Sequence, residues 1–213
     1  HKVKRFVESL PQKLQSNRIF QEDIKIQNNY INYLLKSFDF HAALKISEEL
    51  KANVKKHGDL QNFLVFHANF CLTYFYLTDY HKALHELNKI VNIKESGIRQ
   101  DIINEFKMLN IILNYELDNE DMLAYLCKST QRYLEKKGEL SPALKLVLIF
   151  FGKTILKAGT RQEKTGAFIA FKKELEFHMP KKLFVDFDFI SWLECKIENR
   201  PFAEIVQEKA GKN

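Results

Sequence analysis

Along almost the whole chain apolar residues return every three or four positions, as at Ile26, Tyr30, Tyr33 and Leu34, the spacing that draws a stripe along one face of an α-helix. Polar and glycine-containing clusters interrupt the pattern at regular intervals: Lys56-His57-Gly58-Asp59, Lys94-Glu95-Ser96-Gly97, Leu117-Asp118-Asn119 and Lys137-Gly138-Glu139. The segments between them are ~15 to 20 residues long, an ordinary helix length. Further on, Ser141-Pro142 reads as an N-cap followed by proline at the first helical position, where its missing N–H costs nothing. Ala158-Gly159-Thr160 ends that helix and caps the next. Met179-Pro180-Lys181-Lys182 breaks the chain before an aromatic-rich helical segment over 184–197, and Asn199-Arg200-Pro201 starts a short last helix. The pattern predicts an all-α chain of about ten or eleven helices, with turns short enough to make successive helices antiparallel neighbours.

One stretch occurs twice. SFDFHAALKISEEL, starting at Ser37, returns forty residues later as LTDYHKALHELNKI, starting at Leu77, with Asp, an aromatic, His, Ala and Leu in matching places. In the first copy Asp39 is positioned to cap a helix with Phe40, Ala43, Leu44, Ser47 and Leu50 on its inner face; in the second, Asp79 precedes Tyr80, Ala83, Leu84, Leu87 and Ile90. Ala43 and Ala83 fall where the second helix of each pair approaches the first closely, at about the 8 Å end of interhelical distances. A third copy over 113–129, read at an offset of 39, keeps Asp118 and Leu126 and puts Met122 at the small position. These residues serve packing and carry no chemistry.

Composition narrows the class. The chain of 213 residues is 46% hydrophobic and 28% charged with 7 Gly and 4 Pro, which excludes disorder and disfavours a turn-rich all-β fold. Its longest apolar run, 146–151, is far below the ~20 residues a membrane helix needs. Cys71, Cys127 and Cys195 form no CxxC pair and, being odd in number, cannot all close into disulfides, so they read as small core residues. The net charge of +6 is uneven: residues 1–58 and 140–182 are basic, while 59–139 and 183–213 are weakly acidic. That alternation is either solvated helix surface or a basic face for an acidic partner.

The unit carried best by Tyr74, Asp79-Tyr80, Ala83, Leu87 and Ile90 resembles the tetratricopeptide repeat (TPR). Leu34 replaces the tyrosine in the first copy, Ser47 replaces a large apolar residue, and Phe38 and Thr78 stand where that family has a turn glycine. The period is about 40 residues, against about 34 in the family. The resemblance covers roughly residues 24–135, as repeats 24–58, 64–97 and 103–137, with helix pairs over 141–213 completing a single domain. It implies a TPR-like α-solenoid, an antiparallel helix-hairpin array in which stacked hairpins supply the core. It also implies that the first helix of each pair lines a concave groove: Lys25, Asn28, Asn32 and Lys36, then Ala68, Leu72, Phe75 and Tyr76, then Asn104, Lys107, Ile111 and Asn114. Such a surface of amides, lysines and aromatics implies a protein or peptide segment as partner. Ala68 and Leu72 stand where the family's carboxylate clamp would place a second asparagine, so no clamp is assigned.

Other candidate chemistry is thin. His81 and His85 have the i, i+4 spacing of a metal pair, but HELNK lacks the second His of HExxH and no third ligand is in sequence reach. Acidic clusters at Glu116, Asp118, Glu120 and Asp121 and at Asp186 and Asp188 lack calcium-loop spacing; the first suits a helix N-terminus and the second a helix start. No Gly-rich phosphate loop, GxSxG elbow or Cys–His nucleophile signature is visible. Trp192, with Phe189 and Leu193, is expected to seal the last stack. The expectation is a non-enzymatic, cytoplasmic binding module with no catalytic residue, cofactor or metal and no membrane partner. One alternative is a nucleic-acid-binding α-solenoid, motivated by the basic segments and disfavoured by the acidic middle. Another is the regulatory or dimerisation part of a longer protein, motivated by a chain that starts at His1 rather than Met.

Overall fold

The computed structural model describes residues 12–93, 97–178 and 183–211, with side chains from Asn17 onward, and among these residues there are ten α-helices and no strand. Two expected breaks, Lys94-Glu95-Ser96 and Met179-Pro180-Lys181-Lys182, lie outside the described residues. The chain divides into two compact units, His1–Ile102 and Ile103–Asn213.

The first unit holds α1 (Gln12–Lys36), α2 (Phe40–His57), α3 (Leu60–Tyr76) and α4 (Tyr80–Val91). α1 packs on α2 and α3, and α3 packs on α2 and α4. The two hairpin turns are built alike. The N–H of Asp39 reaches the carbonyl of Leu34 and that of Phe38 reaches Leu35; forty residues on, Asp79 reaches Tyr74 and Thr78 reaches Phe75. Phe38 (φ 62°) and Thr78 (φ 60°) adopt the left-handed conformation that a glycine would adopt without strain. Each following Asp then caps the next helix, Asp39 accepting from Ala42 N–H and Asp79 from Lys82 N–H. Ala43 and Ala83 are fully buried, as the repeat requires.

α3 is enclosed on every side, with all residues from Phe66 to Phe75 buried. That burial includes polar groups. His67 Nδ1 lies 2.6 Å from Glu86, which also accepts from Lys89 Nζ at 2.9 Å. Burial pushes the His67 imidazole below its ordinary pKa although Glu86 pulls the other way. Burial would raise Glu86, but hydrogen bonds from His67 and Lys89 hold it low. The consistent species are a neutral His67 donating Nδ1–H to an ionised Glu86, with Lys89 as counter-charge.

Sequence periodicity misleads on α1. Its core face is Ile24, Ile31, Leu34 and Leu35, while Ile26, Tyr30 and Tyr33 of the apolar stripe turn outward and are exposed. The helix is apolar on two faces.

The second unit holds α5 (Gln100–Glu116, whose first residues close the first unit), α6 (Glu120–Lys137), α7 (Pro142–Ile149), α8 (Arg161–His178), α9 (Phe189–Glu198) and α10 (Phe202–Ala210), with Trp192 of α9 fully buried. The same turn appears a third time, with Asp118 at φ 55° and the N–H groups of Asn119 and Asp118 on the carbonyls of Asn114 and Tyr115. Its register corrects the offset of 39 to 40: Leu123, fully buried, takes the place of Ala83, and Met122 is exposed. Asn119 makes no side-chain cap.

Ser141 caps α7 as expected, but the helix stops at Ile149 and continues as a π turn (Phe150–Thr154) and a 3₁₀ turn (Ile155–Lys157). Gly152 there faces Cys127 so closely that an added Cβ would sit 3.0 Å from the Cys127 Cβ. Thr160 and Glu163 cap α8 reciprocally, the carboxylate accepting from Gly159 and Thr160 N–H and the Thr160 hydroxyl from Glu163 N–H.

The helix expected over 184–197 begins only at Phe189. Before it, the main-chain N–H groups of Val185, Asp186 and Phe187 converge on the Glu105 carboxylate at 3.0 to 3.1 Å. Glu116 is likewise drawn inside, accepting from Trp192 Nε1 and Lys196 Nζ at 2.5 Å each.

Candidate functional site

The residues expected to line a groove have different fates. In the first unit Lys25 and Lys36 are exposed and Asn32 is half-buried. Phe75, expected to face a partner, is fully buried and packs its ring on Tyr80, 5.3 Å between centroids. Tyr76, half-buried, stacks flat on Phe40 at 4.5 Å. Ala68 and Leu72 are buried as well. The physical reason is the enclosure of α3, which leaves no open side from Phe66 to Phe75.

In the second unit Asn114 is buried and knits a helix end, donating to the Asn110 carbonyl at 2.8 Å and accepting from Asn119 at 3.1 Å. Ile111 is buried, and Asn104, half-buried, donates to Glu139. Lys107 is half-buried with its ammonium 4.6 Å over the Tyr133 ring, and burial lowers its pKa. Phe75, Asn114 and Ile111 are therefore corrected from partner contacts to packing residues.

An open recess of about 250 Å³ does exist in the first unit, where α1 meets the start of α3. Lys25 and Asn28 line it together with Gln21, Glu22, Asn29, Asp59, Gln61, Asn62, Val65 and Arg99. Asp59 is the N-cap of α3, accepting from Asn62 N–H at 2.8 Å, and this fixes the lip of the recess. Asn62 Nδ2 reaches back to the Gln21 carbonyl at 3.5 Å, and Asn28 Nδ2 donates to the Asn62 carbonyl at 3.3 Å. Arg99 is oriented by Asp101, with Nη2 at 2.8 Å from the carboxylate.

Asn28 is 2% exposed, and its Oδ1 is the one buried side-chain acceptor without a hydrogen-bond partner among the described residues. Its amide cannot simply be flipped, because Nδ2 is held by a carbonyl.

Five amide side chains, two cations, two carboxylates and one valine make a wall that can donate and accept at many points and carries no net charge. The periodic signal for Gln21, Lys25, Asn28 and Asn29 was present along α1. Gln61 and Asn62 were missed because the groove was carried one to three turns too far along α3.

A second recess of about 320 Å³ lies in the second unit, lined by Tyr115, Gly159, Arg161, Lys164, Thr165, Phe168, Lys196 and Asn199. Two of its cations are engaged, Lys164 with Glu120 at 2.8 Å and Lys196 with Glu116. The N–H groups of Gly159 and Thr160, just before α8, already hold the Glu163 carboxylate.

His81 and His85 are both exposed on α4, and no group of three or more His, Cys, Asp or Glu side chains among the described residues is placed to hold a metal ion. No helix among them is long and apolar enough to cross a membrane. Comparison with protein-family models, curated proteins and solved structures returned no match to this chain.

Proposed function

We propose that the chain is a non-enzymatic, TPR-like helical-repeat module that binds an extended segment of another protein in the recess between α1 and α3. The observation that carries this reading is the amide wall of Gln21, Asn28, Asn29, Gln61 and Asn62. A peptide main chain alternates N–H donors with carbonyl acceptors, and side-chain amides offer the complementary pair at each contact. Lys25 and Glu22 on the rim add charge contacts of either sign for the segment's side chains. Glu22 and Asp59 disfavour a phosphate backbone in the same place, which ranks nucleic acid behind protein. Three buried, unbridged cysteines suit a reducing compartment, and a cytoplasmic location is part of the proposal.

Peptides selected on the immobilised chain from a random display library test it. Lys25→Glu combined with Gln61→Ala, both at exposed positions, should leave stability within ~0.5 kcal/mol. Affinity for the selected peptides should fall ~10-fold or more, a loss of ~1.4 kcal/mol. Unchanged affinity, or a library that yields nothing but polyanionic peptides whose binding is salt-sensitive, contradicts the reading.

A further inference from the structure

The outward stripe on α1, made of Ile19, Ile26, Tyr30 and Tyr33, does not line the recess, although its flanking residues Glu22 and Asn29 do, so peptide binding and the pairing proposed below would compete for those two. Ile19, Ile26 and Tyr33 lie seven residues apart and are 60%, 65% and 62% exposed, with Tyr30, 49% exposed, beside them. At 100° per residue these four fall within an arc of about 60° on the side of α1 away from Ile24, Ile31 and Leu35. Four large apolar side chains at this exposure offer on the order of 500 Å² per copy, which doubled approaches the low end of specific interfaces. A heptad spacing on a helix of 25 residues is the pattern another helix packs against.

We propose that this face is a self-association surface, on which α1 of a second copy lies antiparallel about a two-fold axis at Ile26. The register follows from the sequence of the face. With Ile26 on its own counterpart, Ile19 meets Tyr33 of the second copy and Tyr33 meets its Ile19.

The flanks match too. Glu22 and Asn29 share one side of the stripe, so each Glu22 carboxylate faces an Asn29 amide. Asp23 and Tyr30 share the other, so each Asp23 faces a phenol that donates to it. Asp23 already accepts from Gln27 through one oxygen, at 3.0 Å. No pair of like charges is brought face to face: Lys25 and Lys36 lie roughly 90° or more from the stripe's centre. Ile19, Ile26 and Tyr33 each meet an apolar side chain of the second copy, and both carboxylates meet donors, a self-complementarity that a two-fold interface requires.

The test uses the full chain. Sedimentation over a concentration series to about 200 µM should show a monomer–dimer equilibrium in the micromolar range expected of a small interface. Ile26→Glu, at an exposed position, should keep the helical circular dichroism and weaken association ~100-fold or more by placing a charge at the interface centre. Tyr33→Lys should do the same at a second point.

Ile26→Cys should close into a disulfide-linked dimer under mild oxidation while Lys25→Cys does not, and the buried Cys71, Cys127 and Cys195 do not compete. A chain that stays monomeric throughout overturns the proposal. So does a dimer that survives Ile26→Glu and Tyr33→Lys, or equal cross-linking at positions 25 and 26.

Discussion

Positions 83 and 123 stand at the same point after the same turn, forty residues apart, one in each compact unit, and both are fully buried. The first unit has alanine there and the second has leucine. The difference runs through both units. The interior of the first unit is finely fitted, with a buried His67–Glu86 hydrogen bond, Ser47 donating to the Ala43 carbonyl at 2.8 Å, and Thr73 to the Asn69 carbonyl at 2.8 Å. The second unit is filled by rings: Trp192 lies within 6.0 Å, between centroids, of Tyr115, Phe151, Phe168 and Phe189. Close helix approach needs small residues and aligned polar groups, whereas an aromatic cluster tolerates looser backbone spacing, including the π turn at 150–154.

The largest test of this contrast is Trp192→Ala, which should cost ~3 to 5 kcal/mol by leaving a cavity among four rings. Chemical denaturation followed by circular dichroism measures it, and a loss under 1 kcal/mol would mean the rings are not the core. Next come the two equivalent positions, with opposite tolerances. Leu123→Ala should cost ~2 to 5 kcal/mol through lost volume, and Ala83→Leu ~1 to 3 kcal/mol through overpacking. If Ala83→Leu left the denaturation midpoint unchanged, the close contact would be refuted; the same swap at exposed His81 should be nearly silent.

Smaller still are the caps. Asp79→Ala should lose ~1 kcal/mol, and Asn119→Ala much less, since only Asp79 caps through its side chain.

Acid sharpens the comparison further. His67 has a folded-state pKa below its ordinary 6.5, so the unfolded chain binds the proton more readily. Its contribution is fully present above 6.5 and is lost as pH falls below that value. Glu86, also held low, adds a loss of the same sign at more acidic pH. Denaturation midpoints from pH 7.5 to 5 should decline in the native chain and decline less in His67→Leu. Equal slopes would contradict the assignment of a neutral, buried imidazole.

The hairpins were legible because turn residues and small positions recur by identity: Asp39 and Asp79, Ala43 and Ala83. The third copy was read one residue out, since Leu123 kept the burial but not the size of its counterparts. The recess was half legible. Lys25 and Asn28 follow from helical spacing on α1, but sequence alone does not say which residues of a helix apolar on nearly all sides remain open. Phe75 and Leu72 were placed in a groove for that reason, when only Gln61, Asn62 and Val65 reach it. The outward stripe of Ile26, Tyr30 and Tyr33 has the same periodicity as a core face, and only burial separates the two. Glu105 and Glu116 were hidden because their partners lie some eighty residues away in sequence.

The measurement closest to the central claim is a nuclear magnetic resonance titration of the isotope-labelled chain with a display-selected peptide. Perturbed signals should cluster at Gln21, Lys25, Asn28 and Asn29 on α1 and at Asp59, Gln61, Asn62 and Val65 on α3, with the side-chain amides among them. Perturbations centred instead on the aromatic second unit, or on residues 66–75 of α3, would contradict a binding site in the amide-lined recess.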